Sequence, residues 1–126
     1  MSQEFAELVA GICAKNGIKS YLVKEMMPTP YLSFMVRYYG TDMGVMITAS
    51  HNPKAYNGYK VYGEDGAQMS PEATAKVVEY ISAIGDVFSD KILYDVKSEN
   101  KIKLVPNRID KKYYKTIKKL SLSPKE

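Results

Sequence analysis

A chain of 126 residues, 45% hydrophobic and 25% charged, has the make-up of one ordinary globular domain. No apolar run approaches the roughly 18 residues of a membrane-spanning helix, the single cysteine, Cys13, excludes an internal disulfide framework, and Met1-Ser2-Gln3-Glu4-Phe5 does not read as a cleavable leader. The net charge of +4 is unevenly spread: residues 97–126 hold 10 Lys/Arg against 3 Asp/Glu, and residues 1–96 hold 8 against 11. That basic tail reads as a solvated face, with only Tyr113 and Tyr114 as interleaved aromatics, so no nucleic-acid partner is expected. No membrane partner is expected either, and a cytoplasmic location fits best.

Phe5, Leu8, Val9, Ile12 and Cys13 recur at helical spacing, with Ser2 placed to cap the start and Asn16-Gly17 to end the helix. Ile18 to Val23 reads as a short strand. Thr29-Pro30 opens a second helix, whose apolar stripe is Leu32, Met35, Val36 and Tyr39 and whose stop is Gly40. Gly44 to Thr48 is an apolar, β-branched run, as in a strand covered on both faces. Tyr59 to Tyr62 is another strand, followed by a Gly63-Glu64-Asp65-Gly66 turn. Ser70-Pro71-Glu72 opens a third helix with Ala73, Val77, Val78, Ile81 and Ile84 on its inner side, ended by Gly85. Segments 91–96 and 101–105 are further strand candidates, and Asp110 is placed to cap a last helix through Leu120. Helices alternating with strands predict an α/β fold: a three-layer α/β/α domain with a mostly parallel mixed sheet. The chain opens on a helix with no strand before it, so the domain is expected to lack its first strands.

Thr48-Ala49-Ser50-His51-Asn52-Pro53 leaves the end of the buried strand, where α/β sheets usually build ligand sites. Small and polar residues there let the backbone turn sharply and aim N–H groups at a phosphate. Asn57-Gly58 supplies a tight turn, and Lys60 brings a cation back toward the same end of the sheet. Spacing argues against a hydrolase: adjacent side chains in extended chain point apart, so His51 is badly placed to serve Ser50 as base. There is no second histidine and no Gly-x-Ser-x-Gly elbow, and one histidine with one cysteine makes no metal cluster.

Thr48 to Pro53, followed by Asn57-Gly58-x-Lys60, resembles the active-serine signature of the α-D-phosphohexomutases, which include phosphoglucomutases and phosphomannomutases. Six specified residues coincide by chance at about 1 in 10⁷ to 10⁸ positions, far beyond a lone glycine motif. Ser2-x-x-Phe5-Ala6, Pro28-Thr29-Pro30 and the Gly44 strand are also similar to the family's first domain, so the likeness covers residues 2–84 well. Asn57 to Tyr62 with Gly66-Ala67-Gln68 is most similar to the branch of bacterial α-phosphoglucomutases and the phosphoglucomutase-2/phosphopentomutase type. The resemblance implies that Ser50 carries a phosphoryl group, gives it to a hexose phosphate, and regains one from the bisphosphorylated sugar. It implies a catalytic set of Ser50, His51 and Lys60, with Thr48, Asn52, Asn57 and Gly58 shaping the loop. It implies Mg²⁺, with the phosphate on Ser50 as one ligand, and glucose 1,6-bisphosphate as activator.

Other family features are missing from this sequence. The Gly-Thr-Ser-Gly-type segment, the Asp-x-Asp-x-Asp magnesium loop and the sugar- and phosphate-reading loops of the later domains do not occur. Residues 1–108 are accordingly expected to be a first domain lacking its opening strands, and 109–126 a helical segment leading toward an absent second domain. The whole enzyme would interconvert a sugar 1-phosphate and 6-phosphate, glucose before mannose, pentose or glucosamine phosphates, with this piece inactive alone. The competing expectation is a non-catalytic module that binds a sugar phosphate or a protein. Partners are then the sugar phosphate, the missing domains and, through an exposed sheet edge, another copy.

Overall fold

The computed structural model describes residues 1–53, 55–85 and 100–123. Its elements run α1 (Ser2–Lys15), β1 (Ser20–Leu22), α2 (Thr29–Tyr39), β2 (Met43–Thr48), β3 (Gly58–Gly63), α3 (Pro71–Ala83), β4 (Ile102–Leu104) and α4 (Arg108–Leu120). The strand expected over 91–96 lies outside the described residues. Pairing is mixed: β1 and β4 are parallel, with Tyr21 opposite Lys103, and β2 and β3 are antiparallel, with Met46 opposite Lys60.

Strand alternation shows how the helices flank β2 and β3. Gly44 turns toward α2, where an added Cβ would stand 2.6 Å from Val36 Cγ2 and 3.1 Å from Leu32 Cδ1. Only glycine lets strand and helix come this close. Tyr59 faces the other way, toward Cys13 of α1. Its phenol is held above the ordinary range, by partial burial first and then by that thiol. Helix, sheet, helix is therefore the local layering. The return segment 67–69 covers the outer edge of β3, since Gly63 N–H donates to Ala67 O and Met69 N–H to Val61 O, each at 2.9 Å. Among the described residues, β2 pairs with β3 alone.

The core gathers where α2 meets α4. Tyr31, Met35, Ile109 and Tyr113 are buried together, with Val23, Met27, Phe34 and Val105 packed around them. The Tyr31 and Tyr113 rings meet edge to face, centroids 5.0 Å apart, a favoured aromatic geometry. Tyr31 Oη donates to Asp110 Oδ1 at 2.7 Å. Burial first, and this bond second, hold its phenol well above the ordinary tyrosine range.

Several local expectations are corrected. Ser2 is not a cap: Met1 holds the N-cap position without a side-chain bond. The inner face of α1 centres on Ala10 and Ala14, while Phe5 and Leu8 are exposed, because small side chains let the helix lie close to the strands. Asp110 sits inside the first turn of α4, after Asn107 at the cap, and serves Tyr31 instead. Ser70 does cap α3, accepting from Ala73 N–H at 3.3 Å. The apolar side of α3, however, has no buried residue, and Val78, Ile81 and Ile84 are exposed. The periodicity that marks α3 as a helix is present, yet no described element packs on that side closely enough to bury it.

Candidate active site

Nine residues, 49–57, link β2 to β3, and the antiparallel register ends at Thr48 opposite Gly58. This closure needs glycine at position 58, where a Cβ would lie 2.9 Å from Thr48 O. Two turns then shape the described part of the loop. Asn52 N–H donates to Ala49 O, and Tyr56 N–H to Pro53 O, both at 2.9 Å. Ser50 N–H donates to Thr48 Oγ1 at 3.0 Å, a local side-chain bond that substitutes for a ladder bond past the strand end.

Ser50 has φ 55°, the only positive φ among described residues other than glycine. For an L-residue this conformation costs roughly 1–2 kcal/mol. It persists because the Thr48 bond and the following turn over-determine it, and strain of this kind clusters at functional sites. The consequence is directional. The backbone bends at the mouth of β2 and leaves the Ser50 side chain exposed.

Lys60 reaches that hydroxyl from the paired strand. Its Nζ donates to Ser50 Oγ at 3.1 Å. Lys60 is opposite Met46, two positions inward along the register, so its side chain lies on the same face as Thr48 and Gly58. Its stem is half-buried and its cation ends at the exposed serine. Asn57 points elsewhere: its Oδ1 accepts from Ser2 Oγ at 3.0 Å, tying the far end of the loop to the first turn of α1. His51 and Asn52 are exposed, and among the described residues neither side chain bonds to Ser50 or Lys60. The structure thus brings Ser50, Lys60, Thr48 and Gly58 together, sends Asn57 to α1, and leaves His51 and Asn52 open. Ser2 is the participant that sequence spacing missed. It stands 55 positions from Asn57, and helix-start chemistry suggested a cap.

Residues 1–87 match the family model described as Phosphoglucomutase/phosphomannomutase, alpha/beta/alpha domain I. The chain belongs to that family. A phosphoglucomutase of Staphylococcus epidermidis is 46% identical over 121 residues, which are 95% of this chain and 22% of the relative. A phosphoglucomutase of Staphylococcus aureus is 42% identical over 120 residues, again 95% and 22%. The chain therefore spans 22% of the length of these phosphoglucomutases.

A divalent metal is not provided for by these side chains alone. Among the described residues, no three His, Cys, Asp or Glu groups come together where they could hold an ion. Mg²⁺ favours carboxylate and phosphate oxygens in near-octahedral geometry, and the hydroxyl of Ser50 faces an ammonium instead. The described residues do not fit a complete magnesium site.

Proposed function

We propose that this domain supplies the phosphoryl carrier of a phosphohexomutase, with Ser50 Oγ as the atom that is phosphorylated. The observation that carries the proposal is the 3.1 Å bond from Lys60 Nζ to an exposed hydroxyl on a strained bend. Phosphoryl transfer asks the protein chiefly to position groups and to neutralise spreading charge. A phosphoserine carries roughly −1.5 to −2 charge near pH 7 and needs a cation beside it.

In the donating step, the Oγ–P bond of phosphoserine breaks as a sugar hydroxyl oxygen bonds to phosphorus. Negative charge gathers on Oγ, where Lys60 supplies the proton. The sugar hydroxyl loses its proton on the open side, to which we assign His51. In the return step the serine hydroxyl gives its proton back to Lys60 as Oγ bonds to the second phosphorus of the bisphosphorylated sugar, the sugar O–P bond breaks, and the departing sugar oxygen takes the proton held by His51. Thr48 and Gly58 hold the bend, while Asn52 and Asn57 set the course of the loop. Were Mg²⁺ bound, the phosphate on Ser50 would be one ligand and the others would come from outside these residues. Glucose 1,6-bisphosphate is the priming donor.

The names of the Staphylococcus relatives favour interconversion of glucose 1-phosphate and glucose 6-phosphate, and their length favours a longer polypeptide; the location we assign to it is the cytoplasm. On this reading residues 1–108 form the first domain and 109–126 lead toward a second, and the 126-residue chain alone turns over no substrate. The edge of β2 that has no partner strand among the described residues is the place for self-association. A chimera tests the function: this chain replaces the matching segment of the Staphylococcus epidermidis relative, and mutase turnover is measured. Turnover that vanishes with Ser50→Ala supports the proposal. Turnover unchanged by Ser50→Ala removes the carrier role and favours a non-catalytic module.

A further inference from the structure

We propose that Ser2 is a positioning residue for phosphoryl transfer at Ser50, acting through Asn57; the role rests on Ser50 being the phosphoryl carrier. One side-chain bond holds each end of the loop that joins β2 to β3. At the β2 end Ser50 N–H donates to Thr48 Oγ1 at 3.0 Å. At the β3 end Ser2 Oγ donates to Asn57 Oδ1 at 3.0 Å. The first bond is local to the hairpin. The second crosses 55 positions. Among the described residues it is the one hydrogen bond from this loop to an element outside the hairpin.

Asn57 stands where the loop becomes strand. Its neighbour Gly58 opens β3 opposite Thr48, and Lys60, two positions further, reaches Ser50 Oγ at 3.1 Å. A cation on a flexible stem and a hydroxyl on a bend stay in register only while both ends of the loop keep their places. Ser2 is suited to hold one end. It is half-buried in the first turn of α1, a helix fixed to the body by the buried Ala10 and Ala14. A serine at a helix start commonly caps it, yet α1 has no side-chain cap bond and this hydroxyl goes to the loop. Ser2 bonds to neither Ser50 nor Lys60, so its loss should loosen their alignment in the transition state and leave substrate binding in place.

Steady-state kinetics of the chimera with the Staphylococcus epidermidis relative, well below its unfolding transition, is the test. Ser2→Ala should lower kcat for glucose 1-phosphate by about threefold to tenfold, the scale of one hydrogen bond, with KM within about twofold of the parent. Ser2→Thr keeps the hydroxyl and should restore kcat. Gln3→Ala is the control for a purely structural effect, because Gln3 Nε2 donates to Glu7 Oε1 at 3.1 Å on the same helix without reaching the loop; its kcat should not change. In an Asn57→Ala background Ser2→Ala should cost nothing further, read as single-turnover transfer from glucose 1,6-bisphosphate where steady-state rates are too low. An unchanged kcat in Ser2→Ala overturns the proposal. So does a loss confined to KM, one that Gln3→Ala reproduces, one that Ser2→Thr fails to restore, or one that adds to Asn57→Ala. Ser50→Ala separates the two readings. Turnover that survives it removes the carrier role itself, whereas turnover lost with Ser50→Ala and untouched by Ser2→Ala removes only the positioning role.

Discussion

Lys60 Nζ donates to Ser50 Oγ across 3.1 Å, from a strand position two registers inside the hairpin to a residue beyond its end. No other described side chain donates to that hydroxyl. Lys60→Met in the chimera keeps the length of the stem and removes the cation. Mutase turnover should fall by about 10²–10³, the usual scale for losing a proton donor or charge stabiliser. Turnover within a factor of two would remove Lys60 from the chemistry.

The bend at Ser50 should be measurable as strain. Ser50→Gly relieves a positive φ of 55°, whereas Ser50→Ala keeps it. Glycine also raises unfolded-chain entropy, which offsets part of the gain. Thermal denaturation should therefore rank Ser50→Gly above Ser50→Ala by up to about 1 kcal/mol, although both lack the hydroxyl and neither should accept a phosphoryl group. The opposite ranking would mean the bend is unstrained.

Gly58→Ala should damage fold and site together, because the new methyl would meet Thr48 O at 2.9 Å. The hairpin has to open by a few tenths of an ångström, which moves Lys60 from Ser50. Urea denaturation should show a loss of about 1–3 kcal/mol, the range of overpacking substitutions.

Tyr31 should make the fold sensitive to alkali. Burial, then its bond to Asp110, raises its pKa above the ordinary 10.0. The folded chain thus holds the phenol proton more tightly than the unfolded chain does. That contribution is complete below about pH 10 and is lost progressively as pH climbs past the ordinary value toward the folded one. Tyr31→Phe should flatten this alkaline decline in denaturation midpoints and cost about 1–2 kcal/mol at neutral pH by leaving Asp110 without its donor.

Among the described residues β2 is paired on one edge only, which leads to a concentration effect. Sedimentation velocity of the chain should show dimers or larger species as concentration rises, since an open strand presents unpaired N–H and C=O groups. A clean monomer at high concentration would rule this out.

The loop itself was legible because its information is local. Thr48, Ser50, Gly58 and Lys60 lie within thirteen residues, and a strand, a turn and a returning strand are enough to bring a cation back to a hydroxyl. The helix over Pro71–Ala83 was legible for the same reason, down to Ser70 as its cap. The contacts that join distant segments were not. Ser2 to Asn57 spans 55 positions and Tyr31 to Asp110 spans 79, and in both cases a short polar side chain near a helix start looked like a cap. Tertiary contact took each of them for another purpose. The face of α1 was likewise set by how close the helix lies to the strands, which selects Ala10 and Ala14 over the bulkier Phe5 and Leu8.

The most direct measurement is peptide mass mapping of the chimera after incubation with Mg²⁺ and glucose 1,6-bisphosphate. A single added phosphoryl group on the peptide holding Ser50, absent from Ser50→Ala, is the predicted result. A phosphoryl group found only on another residue, or none on a chimera that turns over glucose 1-phosphate, would contradict it.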